Sequence, residues 1–213
     1  MIETQVYHKF FHALLEGDRK ECSAISGQLM EGDTDIMEVY ENIFKRAMYD
    51  IGDLWEKGKI SVATEHMASA ITEALINEYY YRVLSGKKQQ KTAVVACVEN
   101  EYHQIGIKMV SDIFELRGWN ALFLGANTPT SELIKFIRQV QPHLLALSLS
   151  LHFHLPIMEK MIAAIREEFP DLLILVGGQG FRHGGKDIIA KYSHVVYRSD
   201  LNQVDAFIQS LNT

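Results

Sequence analysis

Two stretches of this 213-residue chain put ionisable side chains where a simple apolar core would not want them. In "ENEYHQIG", Glu101, His103 and Gly106 stand in E-x-H-x-x-G spacing at the expected entry to a helix. An imidazole projecting from such a loop can coordinate a metal. A metal-bound histidine normally has its second nitrogen held by a carboxylate or hydroxyl, and Glu101 lies two residues away. In "LWEKGKISVATEHMASA", Trp55 is followed after nine residues by the pair Glu65-His66. An indole, a carboxylate and an imidazole each carry a polar group that needs a partner once buried, so this trio asks for a ligand. Trp55 also continues the Ile51/Leu54 stripe, the position of an ordinary bundle-core residue.

The elements that must position these groups change character near residue 88. Before it, apolar residues recur at helical spacing: Val6, Phe10, Phe11, Leu14 and Leu15, then Ile36, Tyr40, Ile43, Phe44, Ala47, Ile51 and Leu54, then Val62, Met67, Ala70, Ile71, Ala74 and Leu75. Gly17, Gly32-Asp33 and Gly58-Lys59 punctuate them, and residues from Asp33 to Asp35, together with Ser61, are suited to cap helices. Four helices with short connections form an antiparallel bundle over residues 1–86. The apolar-free run "SGKKQQK", 85–91, reads as a linker.

After the linker, "TAVVACV" (92–98), "NALFLG" (120–125), "LLALSLS" (144–150), "LLILVGG" (172–178) and "HVVY" (194–197) alternate with helical segments. That alternation predicts a five-stranded parallel sheet wrapped by helices over 92–213, an α/β fold of flavodoxin-like type. Ligands of such sheets bind outside the carboxyl ends of the strands, where strand order reverses. The loops leaving strands one, three and four carry Glu101, His103 and Gly106; Ser148 and Ser150; and Gly177 and Gly178. Ser148 is placed to join Glu101 behind His103, and the glycines let a bulky ligand approach the backbone.

Composition narrows the function. A formal charge of -6 argues against a phosphate-binding surface, so direct nucleic-acid binding is not expected. Cys22 and Cys97 lack any C-x-x-C spacing and fit reduced packing residues in a cytoplasmic protein. No segment reads as a signal peptide or membrane span. The H-x-H formed by His152 and His154 raises zinc or manganese, but no Cys or acidic residue nearby completes a ligand set, and both are read as loop residues beside the main ligand. "GGQGFRHGG" follows the fourth strand and lacks the acidic residue of a dinucleotide site. Trp119, Tyr79, Tyr80 and Tyr81 are read as core and interdomain packing.

With these residues in place, E-x-H-x-x-G after the first strand, Ser148-Leu149-Ser150 after the third and Gly177-Gly178 after the fourth resemble the cobalamin-binding domain, whose motif is D-x-H-x-x-G, S-x-L and GG. Glu101 replaces the commoner Asp and Ser150 the commoner Leu. The resemblance implies that His103 takes the place of the dimethylbenzimidazole base as lower cobalt ligand, with the displaced nucleotide tail in a slot of the sheet domain. Trp55, Glu65 and His66 resemble the signature of adenosylcobalamin-dependent photoreceptor regulators, in which a helical cap covers the upper face of the corrin. Trp55 then packs on the adenosyl group and Glu65 bonds its sugar; Glu56 stands where those proteins carry a second histidine, so water or His66 is expected on cobalt after light. The chain begins directly with the bundle, without the usual DNA-binding domain of such regulators, and an unidentified protein partner is expected to carry the signal. The implied function is a non-enzymatic cobalamin-binding light sensor with adenosylcobalamin, or else methylcobalamin, and possible homo-oligomerisation. The rival reading is a corrinoid methyl carrier of a methyltransferase system.

Overall fold

The computed structural model describes residues 2–32, 34–84 and 88–212; the expected cap at Asp33 and the first three residues of the linker, 85–87, lie outside the described residues. The chain divides into two compact units, Met1–Val83 and Leu84–Thr213.

The first unit is helical: α1 (Thr4–Glu16), α2 (Arg19–Glu31), α3 (Ile36–Val39), a π-helical segment (Tyr40–Lys45), α4 (Arg46–Glu56), α5 (Val62–Glu78) and the single turn α6 (Tyr80–Val83). Asp35 caps α3 by accepting from Met37 N at 3.1 Å, and Ser61 caps α5 by accepting from Thr64 N at 3.2 Å. Gly17 ends α1 at φ 72°, and a Cβ there would meet the Met67 sulfur at 2.5 Å, so the turn is tight against α5. Residues 36–56 read as one uninterrupted helical stripe in sequence. The π segment inserts a wider turn in its middle, and Val39, Tyr40, Ile43, Phe44, Ala47 and Ile51 are all buried. Tyr79 stands at the centre of this core, edge-on to Phe44 at 5.7 Å, and its hydroxyl donates to Ser26 O at 2.9 Å. Tyr80 and Tyr81, expected to be packed, are exposed: α6 is one turn long and buries only Val83 besides the preceding Tyr79.

The second unit is a five-stranded, wholly parallel sheet in the order β2-β1-β3-β4-β5. Its strands are β1 (Thr92–Cys97), β2 (Asn120–Gly125), β3 (Leu144–Ser148), β4 (Leu173–Gly177) and β5 (Val195–Tyr197). The crossovers are α7 (Ile105–Leu116), α8 (Thr130–Val140), α9 (Leu155–Glu168) and α10 (Lys186–Ile189), and α11 (Leu201–Leu211) follows β5. Short 3-10 turns at His152–His154 and Gln179–His183 precede α9 and α10. Val94, Ala96, Leu145, Leu147, Ile174 and Val176 of the central strands pack on Leu133 and Ile137 of α8 and on Met158, Ile162 and Ile165 of α9. On the other face α11 is tied down by Arg117, whose guanidinium donates to both oxygens of Asp205 at 2.5 and 2.8 Å, and by the buried Trp119, which donates to Asn212 at 2.8 Å.

Strand order reverses between β1 and β3. Their register pairs Cys97 with Ser148, and Ser148 with Gly177 on β4, so the carboxyl ends of three strands finish in one row. The loops expected to carry the ligand therefore leave the sheet side by side. Among the described residues no helix is long and apolar enough to cross a membrane.

Candidate functional site

The β1–α7 loop is built to hold one carboxylate. Val98 N donates to Ser148 O at 3.0 Å, extending the β1–β3 ladder one step, and Glu101 N closes a turn onto Val98 O at 2.9 Å. Asn100 takes the left-handed conformation at φ 68°, which asparagine tolerates, and donates from its N–H to the Asn127 side chain at 3.0 Å. Asn127 N returns a bond to Glu101 O at 2.9 Å, latching the loop to the one that follows β2.

The Glu101 side chain is fully buried, and its two oxygens have different partners. Oε1 accepts from His103 N at 3.1 Å and from His103 Nδ1 at 2.5 Å. Oε2 accepts from Ser150 N at 3.0 Å, from Leu151 N at 2.9 Å and from His154 Nδ1 at 3.4 Å. Burial pushes the carboxyl pKa up, but the hydrogen bonds from the His103 ring, Leu151 N and His103 N outweigh it and hold the pKa at about 2. An ionised carboxylate only accepts, so Nδ1 of His103 carries a proton, and in the neutral ring this leaves the lone pair on Nε2. The His103 side chain is 47% exposed, while the carboxylate behind it is wholly enclosed. That is the arrangement of an imidazole prepared to ligate a metal from its Nε2 side. The longer arm of glutamate does not separate the pair.

Ser148 ends β3 buried in the strand row, and Ser150 meets Glu101 through its backbone N–H. Gly178 has φ 109°, and a Cβ on it would collide with the backbone of Leu149. Its lack of a side chain thus lets the chain's own β3 loop pass close to it. Gly106, in the first turn of α7, has nothing within 4 Å of where a Cβ would stand.

The two histidines of H-x-H diverge. His152 Nδ1 donates to Gly180 O at 2.9 Å, whereas His154 turns inward to Glu101 and is buried. His154, read in the sequence only as a loop residue beside the ligand, contacts Glu101 from 53 residues away, a pairing that no spacing in the chain marks. Among the described residues no group of three or more His, Cys, Asp or Glu could hold a metal ion. One imidazole backed by one carboxylate suits a metal that brings its remaining ligands with it, and the cobalt of a corrin does so with four ring nitrogens.

In the helical unit, Trp55 closes α4 and is 45% exposed, so it is not the core residue that its place on the apolar stripe suggests. Glu65 lies in the first turn of α5, where the helix dipole favours a carboxylate. It accepts from Ser69 Oγ at 2.8 Å and faces His66 Nε2 at 3.5 Å. The His66 side chain is 73% exposed. Trp55 and Glu65 thus lie on consecutive helices joined by one short turn, with Val62 and Met67 also exposed nearby in sequence.

A flavodoxin-like sheet with a carboxylate-backed histidine at its switch point defines a corrinoid-binding class of domain. Residues 91–206 match the model of the B12 binding domain, and residues 6–80 match a second model of the same description. The chain belongs to the B12-binding domain family, and cobalamin is its ligand. It is 30% identical over 143 residues to the HTH-type transcriptional repressor CarA of Myxococcus xanthus, covering 62% of this chain and 46% of that protein. It is 23% identical over 164 residues to dimethylamine corrinoid protein 1 of Methanosarcina acetivorans, covering 75% of this chain and 77% of that one. The chain therefore spans less than half the length of the repressor. The structure of the Methanosarcina barkeri monomethylamine corrinoid protein superposes with a TM-score of 0.85 over 99% of this chain and all of that one, at 13% identity, a likeness of fold.

Proposed function

We propose that the protein is a cobalamin-dependent light sensor in which the α/β unit, residues 92–213, holds the corrinoid and the helical unit, residues 1–86, reads its upper ligand. When bound, adenosylcobalamin supplies visible absorption and a light-sensitive cobalt–carbon bond. The chain's own residues supply the rest. Glu101 fixes the His103 ring and keeps Nε2 basic, so that His103 serves as lower cobalt ligand. Gly106, Ser148, Ser150, Gly177 and Gly178 shape the loops around it.

The observation that carries the sensor reading is the exposure of Trp55 with Glu65 and His66 following on α5. An indole left 45% exposed in a helical unit with a well-filled core offers a flat apolar face, and the carboxylate and imidazole offer hydrogen bonds to ribose hydroxyls. A ligand that touches these residues in one state and not in another shifts the helical unit between conformations or associations, because only differential affinity moves an equilibrium. The charge of -6 speaks against direct nucleic-acid binding, so in this reading the output passes to a protein partner. A methyl carrier is the second reading, favoured by the match to a dimethylamine corrinoid protein across both units.

The test is the visible spectrum and hydrodynamic size of the protein loaded with adenosylcobalamin, in darkness and after green light. A sensor changes size or protease sensitivity with light, and Trp55→Ala reduces the change. A carrier shows neither effect, exchanges methyl groups with a methyltransferase and is indifferent to Trp55→Ala. His103→Ala loses the histidine-bound spectrum and at least roughly tenfold in affinity if His103 is the ligand.

A further inference from the structure

The geometry points to His154 as a positioning residue that, through Glu101, sets the orientation of His103, an inference that rests on the reading of His103 as cobalt ligand. Glu101 is fully buried and carries five N–H donors on two oxygens, two on Oε1 and three on Oε2. The oxygen that faces His103 can only point as the other oxygen allows, because the carboxylate is planar. Ser150 N and Leu151 N, which hold Oε2, belong to the loop leaving β3. Among the described residues His154 is the side chain that donates to that oxygen, and it comes from the residue that precedes α9, whose first turn is locked by the buried Leu155 and Met158. His154 therefore ties the carboxylate to a helix, whereas the other two donors tie it to a loop.

The contact is a full hydrogen-bonding requirement on both sides. An ionised carboxylate accepts only, so His154 donates from Nδ1, and at 3.4 Å the bond is longer than the usual N–H···O range of roughly 2.7–3.2 Å. His154 is buried and edge-on to Phe153 at 4.4 Å, so its ring cannot turn away without leaving a polar group unpartnered. The partner directly behind a metal-bound histidine, here Glu101, is worth about 10- to 100-fold in metal or cofactor affinity, so a residue acting through it is expected at the low end of that range.

The test compares His154→Ala, His154→Asn, His154→Gln and His154→Leu in the full chain. The amide nitrogen of asparagine stands where Nδ1 stands; that of glutamine stands where Nε2 stands; leucine keeps volume without a donor. The first readout, in cobalamin-free protein at one pH, is the ¹⁵N chemical shift and the low-field Nδ1 proton of His103. The second is the histidine-bound fraction in the visible spectrum and the affinity for methylcobalamin. Positioning predicts that Ala, Gln and Leu lose or shift the His103 proton and bind about tenfold more weakly, and that Asn restores both. Retention of the His103 signal and affinity in His154→Leu, or equal rescue by Leu and Asn, overturns the proposal and leaves a packing role. Leu decides the matter if Ala fails to fold. His103→Ala runs alongside: if its spectrum equals that of the unmodified protein, the ligand reading itself falls and this inference with it, whereas a changed His103→Ala spectrum with an unaffected His154→Leu removes only the positioning role.

Discussion

Glu101 Oε1 lies 2.5 Å from His103 Nδ1 while its other oxygen is held by two backbone N–H groups and a second imidazole, so one buried carboxylate joins the loop after β1 to the loop after β3. This makes Glu101 a determinant of folding as well as of binding. Glu101→Ala leaves the N–H groups of His103, Ser150 and Leu151 without their acceptor in a closed site. The expected cost is about 3 kcal/mol, read from urea unfolding of the cobalamin-free protein. A cost under roughly 1 kcal/mol would mean that water replaces the carboxylate without penalty.

The same carboxylate sets an acid limit. Its pKa in the folded protein is about 2, below the ordinary 4.5, so ionised Glu101 contributes stability that is fully present above pH 4.5 and is lost as pH falls towards 2. Glu101→Gln lacks this contribution. The difference in unfolding free energy between the two proteins should shrink steadily across that window, and a difference that is constant with pH would contradict the assignment.

Gly178→Ala is expected to destabilise the α/β unit by about 2 kcal/mol or more, since φ 109° strains any side chain and the Leu149 backbone occupies the space. Thermal melting measures this directly. Gly106→Ala, in the first turn of α7 with nothing within 4 Å of the added carbon, should leave stability nearly unchanged and is the control.

Trp55→Ala separates a binding residue from a core residue. At 45% exposure about half of the indole still packs, so the variant should lose roughly 1 kcal/mol of stability, and on the sensor reading it also weakens the response to light. A loss above roughly 2 kcal/mol would return Trp55 to the core.

Burial pushes the thiol of Cys22 up to about 11 and that of Cys97 up to about 12. Both are fully enclosed, so a disulfide reagent at neutral pH should label neither thiol in the native protein and both in denaturant. Rapid labelling of Cys97, which lies at the end of β1 and donates weakly to His103 O at 3.6 Å, would show that the site loop opens.

The local pattern of the chain determined the two kinds of unit, the five strands, the parallel sheet and the loop that carries Glu101 and His103. These follow from hydrophobic period and from short-range spacing, which act between residues close in sequence. Glu101 and His103 are two residues apart, so their pairing was already legible. What only the tertiary structure decided lies at long range. His154 reaches Glu101 because β1 and β3 are neighbours at the strand-order reversal, which brings loops some fifty positions apart onto one carboxylate. His152, two residues earlier in the same 3-10 turn, points to Gly180. Gly178 reads as room for a ligand, and the sheet register also brings Leu149 close to it. Trp55 sits on an apolar stripe in sequence, yet in the last turn of α4 it is 45% exposed while Ala47 and Ile51 of the same helix are buried; a period of 3.6 specifies which face a residue occupies, while tertiary packing decides how far along the helix that face is buried.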